Sequence, residues 1–320
     1  MDNPFQNIPT IGAAPLDDVA RMLREIGDDD SAAAVEEARQ QQSRTRQLTG
    51  GARGISLGTI LGRKAKWSHT AHTVGFIPAA RDVAGTADIV AAGSIEADLA
   101  LRGKPLRISL NTLCVASYPG FGIHHVLLDF YAQAQNVKDV DHLHFNATYR
   151  AQDGQHSGVI GQPIFVGIVP GPAGLALRCF TVNVKNDDDE KLISFLSRDV
   201  FKAGLKLLKT AQPAVAPLSE MALGLVTGIA QRARNVPVQD IHIGLDFGST
   251  AGGARLAQGT YVAVQIPETG TLAWNWDQWL FDPGAGRIVL KADRSTLVPY
   301  NYLAFGVEAM PVDDEDAPSA

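Results

Sequence analysis

The sequence predicts a mainly β protein, an antiparallel β-sandwich, and three observations lead to that prediction. Several segments alternate apolar and polar residues with a period of two, which is typical of strands with one face in a core. Most of these segments are separated by Gly, Pro, Asn or Asp, which favour turns. Residues 279–290 place two apolar runs on either side of Asp282-Pro283-Gly284-Ala285-Gly286, a pattern typical of a hairpin.

The alternating segments cover residues 95–102, 106–114, 142–149 and 179–185. In the third segment the two alternating sets are expected on opposite faces of one strand: Leu143, Phe145 and Tyr149 toward the core, and His142 and His144 away from it. Short strands of this kind, spaced by turns, predict a sandwich that is C2-like or jelly-roll-like in general shape.

Residues 1–51 are predicted to form a helical N-terminal arm. Apolar residues recur at helical spacing in its first helix: Leu16, Val19, Leu23 and Ile26. A helix this short is not stable alone in water, so its apolar face must be covered. The second helix, over about residues 30–48, is polar almost all round and offers little cover. We therefore predict that the arm mediates association, with those four residues as partner contacts.

A helical hairpin is predicted as an insert at about residues 190–235. The acidic residues 187–190 mark its start, where the helix dipole favours negative charge. We expect the first helix to continue to about Lys209, and Pro213 and Pro217 to separate it from the second. The chain returns to β structure near residue 239. Residues 52–310 then form one β-sandwich domain around the insert, and residues 311–320 form a disordered acidic tail.

Composition and charge exclude several classes of function. The chain has 320 residues, of which 45% are hydrophobic, so it can bury a sizeable core. Its formal charge of −6 argues against broad electrostatic binding to nucleic acid. The most apolar stretch, residues 158–180, is interrupted by three prolines and an arginine, so no membrane span is predicted. The absence of a secretory signal and the two isolated cysteines indicate a cytoplasmic protein with buried free thiols.

Four histidines are candidate metal ligands. His142 and His144 lie two residues apart on one predicted strand face, and His124 and His125 are adjacent. Zinc needs three or four converging ligands, and a neighbouring strand would have to supply the remainder. Histidines on strands are often solvated or hydrogen-bonded instead. A divalent metal is therefore the alternative interpretation, and no other cofactor is predicted.

Two aromatic segments are candidate contact surfaces. Residues 274–279 hold three of the four tryptophans. Buried, these rings belong to the core beside the hairpin, which is the favoured interpretation. Exposed, Trp274 and Trp276 would contact a partner. Residues 117–122 form a loop with two aromatic residues, a second contact candidate.

These observations favour a non-enzymatic protein-binding or assembly module, which associates with itself or with a protein partner through the arm. Motifs for nucleophilic catalysis and for phosphate binding are absent from the sequence. One alternative is a metal-dependent enzyme that uses the strand-borne histidines. The other is a bacterial stress or defence effector controlled by proteolysis at an acidic run, residues 28–30 or 313–316.

Overall fold

The prediction of a mainly β fold is confirmed by the computed structural model. The structure describes residues 5, 7–49, 56–62, 65–79, 86–135, 142–157, 161–197, 203–207, 212–248, 253–268, 274–282 and 286–311. Within these ranges the α-helices are α1 Leu16–Glu25, α2 Asp29–Thr49, α3 Leu57–Leu61, α4 Asp187–Ile193 and α5 Gln212–Ala230. Short 3-10 turns lie at Lys66–Ser68, Leu99–Leu101, Ser194–Ser197 and Trp276–Gln278.

The strands of the described residues run from β1 to β16 in chain order. The first eight are β1 Ala71–Pro78, β2 Ala87–Asp88, β3 Val90–Ala91, β4 Leu106–Val115, β5 His124–Ala134, β6 Leu143–Ala151, β7 Gln155–Ser157 and β8 Gln162–Ile168. The others are β9 Gly174–Val184, β10 Leu205–Lys206, β11 Asn235–Asp246, β12 Ala254–Arg255, β13 Gly259–Ile266, β14 Trp279–Asp282, β15 Arg287–Leu290 and β16 Tyr302–Ala309.

These strands form three sheets in the described part of the chain. The eight-stranded sheet has the order β10-β8-β4-β16-β13-β1-β3, with β7 also paired to β4. The five-stranded sheet has the order β12-β11-β9-β5-β6, and the three-stranded sheet the order β15-β14-β2. The pairs are antiparallel except β8 with β10 and β11 with β12. The antiparallel pairing and the β14–β15 hairpin agree with the sequence prediction.

The two large sheets face each other across the central core. Ile108 and Phe305 come from the eight-stranded sheet, Phe130 and Ile241 from the five-stranded one, and all four are buried in one cluster. Each fully buried side chain of this size stabilises the fold by about 1.5–3 kcal/mol. Phe145 also lies in this core, with Leu143 and Tyr149 packed against it. The predicted inward face of β6 is therefore confirmed.

Both sheets also pack on their outer faces. On the five-stranded sheet the outer cluster joins Phe180 and Val182 of β9 to α4, α5 and the N-terminal segment. Phe5 stacks on Phe180 with 4.3 Å between ring centroids. On the eight-stranded sheet the outer cluster joins Val262 and Val264 to the tryptophan segment and the small sheet. The sandwich thus lies between two further layers.

The N-terminal helices pack on the same central core. Val19 and Leu23 of α1 have no solvent exposure, and neither have Ala32 and Val35 of α2. Our expectation that α2 offers little cover is wrong, because two small apolar side chains one turn apart suffice where the helices cross closely. α1 and α2 are also joined at the surface by ion pairs, Arg24 with Glu36 and Arg39 with Asp17. Exposed pairs of this kind add little stability.

The predicted strand at residues 95–102 is absent, although all of these residues are described. The Asp98 carboxylate accepts a hydrogen bond from the Ala100 N–H at 3.0 Å and starts the 3-10 turn Leu99–Leu101. Leu101 is buried, whereas Leu99 is 57% exposed. A short capped turn can therefore show the same apolar alternation as a strand.

The predicted helical hairpin also differs from the structure. Instead of a helix that continues to Lys209, α4 ends at Ile193, and Leu205–Lys206 form β10 beside β8. Gly204 explains the change, because its φ is +72° and a side chain there would lie 2.9 Å from the Pro163 backbone. The second helix begins at Gln212, before both prolines, and ends at Ala230. Pro213 lies in the first turn, where a proline loses only an N–H that has no helical partner, whereas Pro217 lies inside the helix.

Helix α5 covers the outer edge of β6, the last strand of the five-stranded sheet. The Ser219 hydroxyl accepts a hydrogen bond from the His144 N–H at 2.7 Å and donates one to the His142 carbonyl at 2.8 Å. One side chain thus satisfies two backbone groups that an edge strand leaves unpaired.

Cys114 and Cys179 are buried free thiols, as predicted. No helix among the described residues has the length and apolar character needed to cross a membrane.

Candidate functional site

Polar side chains hold the loop between β4 and β5, residues 116–123, by hydrogen bonds to its backbone. The Asn301 amide oxygen accepts hydrogen bonds from the Ala116 N–H at 2.8 Å and the Ser117 N–H at 3.0 Å. The Tyr118 N–H donates to the Asp153 carboxylate at 2.9 Å. Asn301 is fully buried. The start of the loop is therefore held by the sheet that it leaves.

The second half of the loop is held by two side chains from the end of β9. The Asn183 amide donates to the Pro119 carbonyl at 2.8 Å. The Lys185 ammonium donates to two carbonyls, that of Phe121 at 2.9 Å and that of Ile123 at 2.7 Å. Hydrogen bonds from a charged donor are stronger than neutral ones.

This loop displays an aromatic ring to solvent. The Phe121 side chain is 74% exposed. Gly120 and Gly122 flank it with φ of +84° and +81°, a conformation that residues with a side chain rarely adopt. The hydrogen bonds to the Pro119, Phe121 and Ile123 carbonyls therefore fix the backbone that carries this side chain.

Phe121 lies at a cleft of about 820 Å³. One wall is the α1–α2 turn with residues 28–31, and a second is formed by Leu61 and residues 65–67. The remaining walls are the loop 116–121 with residues 153–154, and residues 288 and 297–302. The N-terminal arm and the sandwich therefore build the cleft together. Ile26 of the arm also lies against the loop, since a side chain at Gly120 would come within 3.2 Å of it.

Among the charged side chains in the described lining of the cleft, carboxylates outnumber cations. It carries three carboxylates, Asp28, Asp30 and Asp153, against one ammonium, Lys66. Asp28 caps α2 by accepting from the Ser31 N–H at 3.3 Å, whereas Asp30 is exposed. These carboxylates give the cleft a negative potential that favours a cationic partner.

The reactive groups that border the cleft are not activated. Burial raises the pKa of the Cys114 thiol to about 12, so the sulfur stays protonated at neutral pH. Burial likewise raises the pKa of Tyr118, whose hydroxyl hydrogen-bonds Gln239 at 2.8 Å and Thr181 at 3.1 Å. Both groups serve the packing under the loop. Neither the Cys114 thiol nor the Tyr118 hydroxyl is therefore an activated nucleophile.

The partner contacts predicted on α1 are divided between core and surface. Val19 and Leu23 belong to the central core of the chain itself, so they are covered without a partner. Leu16 and Ile26 are half-buried. The part of the arm that borders the cleft is instead the α1–α2 turn, which the helical pattern did not single out.

The tryptophan segment lies under the small sheet. Trp276 is buried and Trp274 half-buried. Trp274 stacks on Trp279 with 5.7 Å between centroids and meets Trp276 edge-on at 5.3 Å. Within the segment a 3-10 turn, Trp276–Gln278, leads directly into β14.

The candidate metal ligands do not converge. In the β5–β6 register His124 faces Ala151, while His144 faces Tyr131, seven positions further along β5. Seven positions span about 23 Å. His124 lies 3.1 Å from Asp153, and His144 bonds Asp129. Among the described residues no three His, Cys, Asp or Glu side chains come together as ligands would.

The two acidic runs predicted as cleavage sites have different positions. Residues 28–30 start α2, with Asp28 buried as its cap. Residues 313–316 lie outside the described residues.

Comparison of the chain with models of protein families, with curated proteins and with solved structures found no match in any of the three.

Proposed function

We propose that the protein is a non-enzymatic protein-binding module of the cytoplasm, and that a partner segment lies in the cleft against Phe121. The observation that carries this proposal is an exposed aromatic ring on a loop fixed by Asn301, Asn183 and Lys185. Folding gains nothing from a ring in water. An exposed, rigid ring is typical of a binding hot spot.

The rigidity of the loop bears on affinity. Binding normally includes an entropic cost of ordering interface side chains and loops. In this loop the backbone is ordered during folding, so the ring meets a partner in its bound geometry. A Phe at the centre of an interface contributes about 2 kcal/mol or more, ~30-fold in affinity.

The chemistry of the cleft favours a protein segment that carries a basic residue beside an apolar one. The basic residue would face Asp30, and the apolar residue would pack on Phe121. The same acidic lining and the net charge of −6 disfavour nucleic acid. Because the α1–α2 turn forms one wall, association through the arm remains part of the proposal. The buried free thiols fit a reducing compartment.

A peptide-display selection on the purified full chain tests the proposal. We expect selected peptides to combine Lys or Arg with an aromatic or aliphatic residue, and Phe121→Ala to weaken them at least tenfold. Leu99→Ala is the matched control, since Leu99 is 57% exposed but lies outside the cleft lining. Equal binding to wild type and Phe121→Ala, or a selection without binders, would overturn the proposal.

A further inference from the structure

A buried polar cluster lies on the outer face of the five-stranded sheet, halfway along β5. Asp129 of β5 accepts hydrogen bonds from His144 Nδ1 at 2.8 Å and Asn146 Nδ2 at 2.9 Å, both on β6. The three residues are 1%, 2% and 3% exposed. Strand register explains the contact, because Asp129 faces Asn146 directly and His144 diagonally.

The hydrogen bonds within the cluster leave two acceptors. In a neutral imidazole whose Nδ1–H donates to the Asp129 carboxylate, the other ring nitrogen, Nε2, carries a lone pair. Asn146 uses its N–H, which leaves its Oδ1 as an acceptor. Both atoms are buried, and neither has a hydrogen-bond partner among the described residues. A buried polar atom without a partner is rare and calls for an explanation.

The same two residues line a cavity of about 100 Å³ between β6 and α5. The rest of its described lining is apolar: Phe145, Leu196, Gly204, Leu205, Leu218, Met221, Ala222 and Leu225. Leu218 and Met221 are 44% and 49% exposed, so the outer wall of the cavity reaches solvent. The cavity has a polar end, an aliphatic body and a route to the surface.

The size and the two acceptors define the ligand. A cavity of ~150 Å³ holds benzene, and a water needs ~30 Å³, so about 100 Å³ suits four or five heavy atoms. An alcohol has one donor hydrogen and would leave one acceptor unpaired, whereas a primary ammonium has three donors. Its charge also offsets the buried Asp129 carboxylate. We propose that this cavity binds a small primary alkylammonium ion, with its nitrogen on His144 Nε2 and Asn146 Oδ1.

Methyl NMR of the full chain, with its methionines labelled, tests this site. The sequence has four methionines, and Met221 lines the cavity, so Met1, Met22 and Met310 serve as internal controls. Titration with n-butylammonium should move the Met221 methyl signal saturably, with a Kd in about the millimolar range that so small a ligand reaches. The other three signals should stay fixed. n-Butanol should bind at least tenfold more weakly.

Two matched variants separate the cavity from the rest of α5. Ala222→Leu fills the cavity and should abolish the saturable shift, while Ala216→Leu, on an exposed position of the same helix, should leave it unchanged. If Ala222→Leu does not fold, NMR contacts between the butyl protons and the Met221 methyl group in the wild-type protein test the site instead. Their presence is expected, and their absence would overturn the proposal. Equal binding of butanol, or no saturable shift at all, as for a cavity that holds water only, would overturn the proposal.

Discussion

Replacing Asn301 by Ala should destabilise the protein far more than the loss of one side chain suggests. The change removes the acceptor of the Ala116 and Ser117 N–H groups and the donor to the side-chain oxygen Oε1 of Gln265, which lies 2.8 Å away. Each buried polar group left without a partner costs about 1–3 kcal/mol. Three such groups give an expected loss of about 3 kcal/mol or more.

Thermal unfolding measures this loss. A chain of 320 residues has an unfolding entropy of roughly 0.7 kcal/mol per degree. A loss of about 3 kcal/mol therefore lowers Tm by about 4–5 °C. Asn275→Ala is the control, because Asn275 is exposed and accepts a single hydrogen bond from the Asp277 N–H. If Asn301→Ala lowers Tm no further than this control, the network does not hold the loop as we argue.

The variant Asn301→Asp adds a pH signature. The introduced carboxyl keeps the acceptor but, when ionised, sets a negative oxygen against Gln265 Oε1, so its folded pKa is raised. A raised pKa means that stability is highest at low pH and is lost as pH rises through the folded pKa. We expect the Tm deficit relative to wild type to shrink on acidification. A deficit that is independent of pH would contradict the contact with Gln265.

Two further predictions concern the core and one buried histidine. Phe145→Ala should lower the free energy of unfolding, measured by chemical denaturation, by about 3–5 kcal/mol, because Phe145 is 8% exposed. The exposed Phe121 is the control, and Phe121→Ala should lower it by under about 0.5 kcal/mol. Equal losses would show that Phe145 does not lie in the core. Burial lowers the pKa of His72 from 6.5 to about 4, although the negative charge of Asp240 acts in the opposite direction. The contribution of His72 to the free energy of unfolding is therefore complete above pH 6.5 and is lost as the pH falls toward 4. This amounts to roughly 3 kcal/mol at most, and His72→Gln should flatten the acid limb of the stability profile.

The strands were predictable where one face of the chain is buried along its whole length. Residues 106–114 and 179–185 form β4 and the end of β9, where the apolar side chains enter a core and most of the polar side chains between them are buried as well. The same alternation failed at residues 95–102, where one Asp98 hydrogen bond stabilises a turn instead. Alternation records burial, and a turn buries residues as readily as a strand does.

The candidate site was only partly predictable. The loop 117–122 is recognisable in the sequence by its two aromatic residues. The residues next to it in the sequence do not indicate that its backbone is held in place. Asn301, Asn183 and Lys185 lie some 60 to 185 positions away and meet the loop only through strand register. His144 was recognised as a candidate metal ligand, but its hydrogen-bond partner is Asp129 and it does not meet a second histidine. Such pairings depend on topology, which local patterns do not contain.

The hydroxyl of Ser219 has a consequence for how this protein meets copies of itself. An edge strand with free N–H and C=O groups is a template on which another chain can add a strand, the first step toward aggregation. On β6 the hydroxyl already occupies the His144 and His142 backbone groups that such an intruder would use. The five-stranded sheet therefore cannot add a strand at these positions unless α5 first moves away, so the helix that covers the cavity also protects this edge of the sheet.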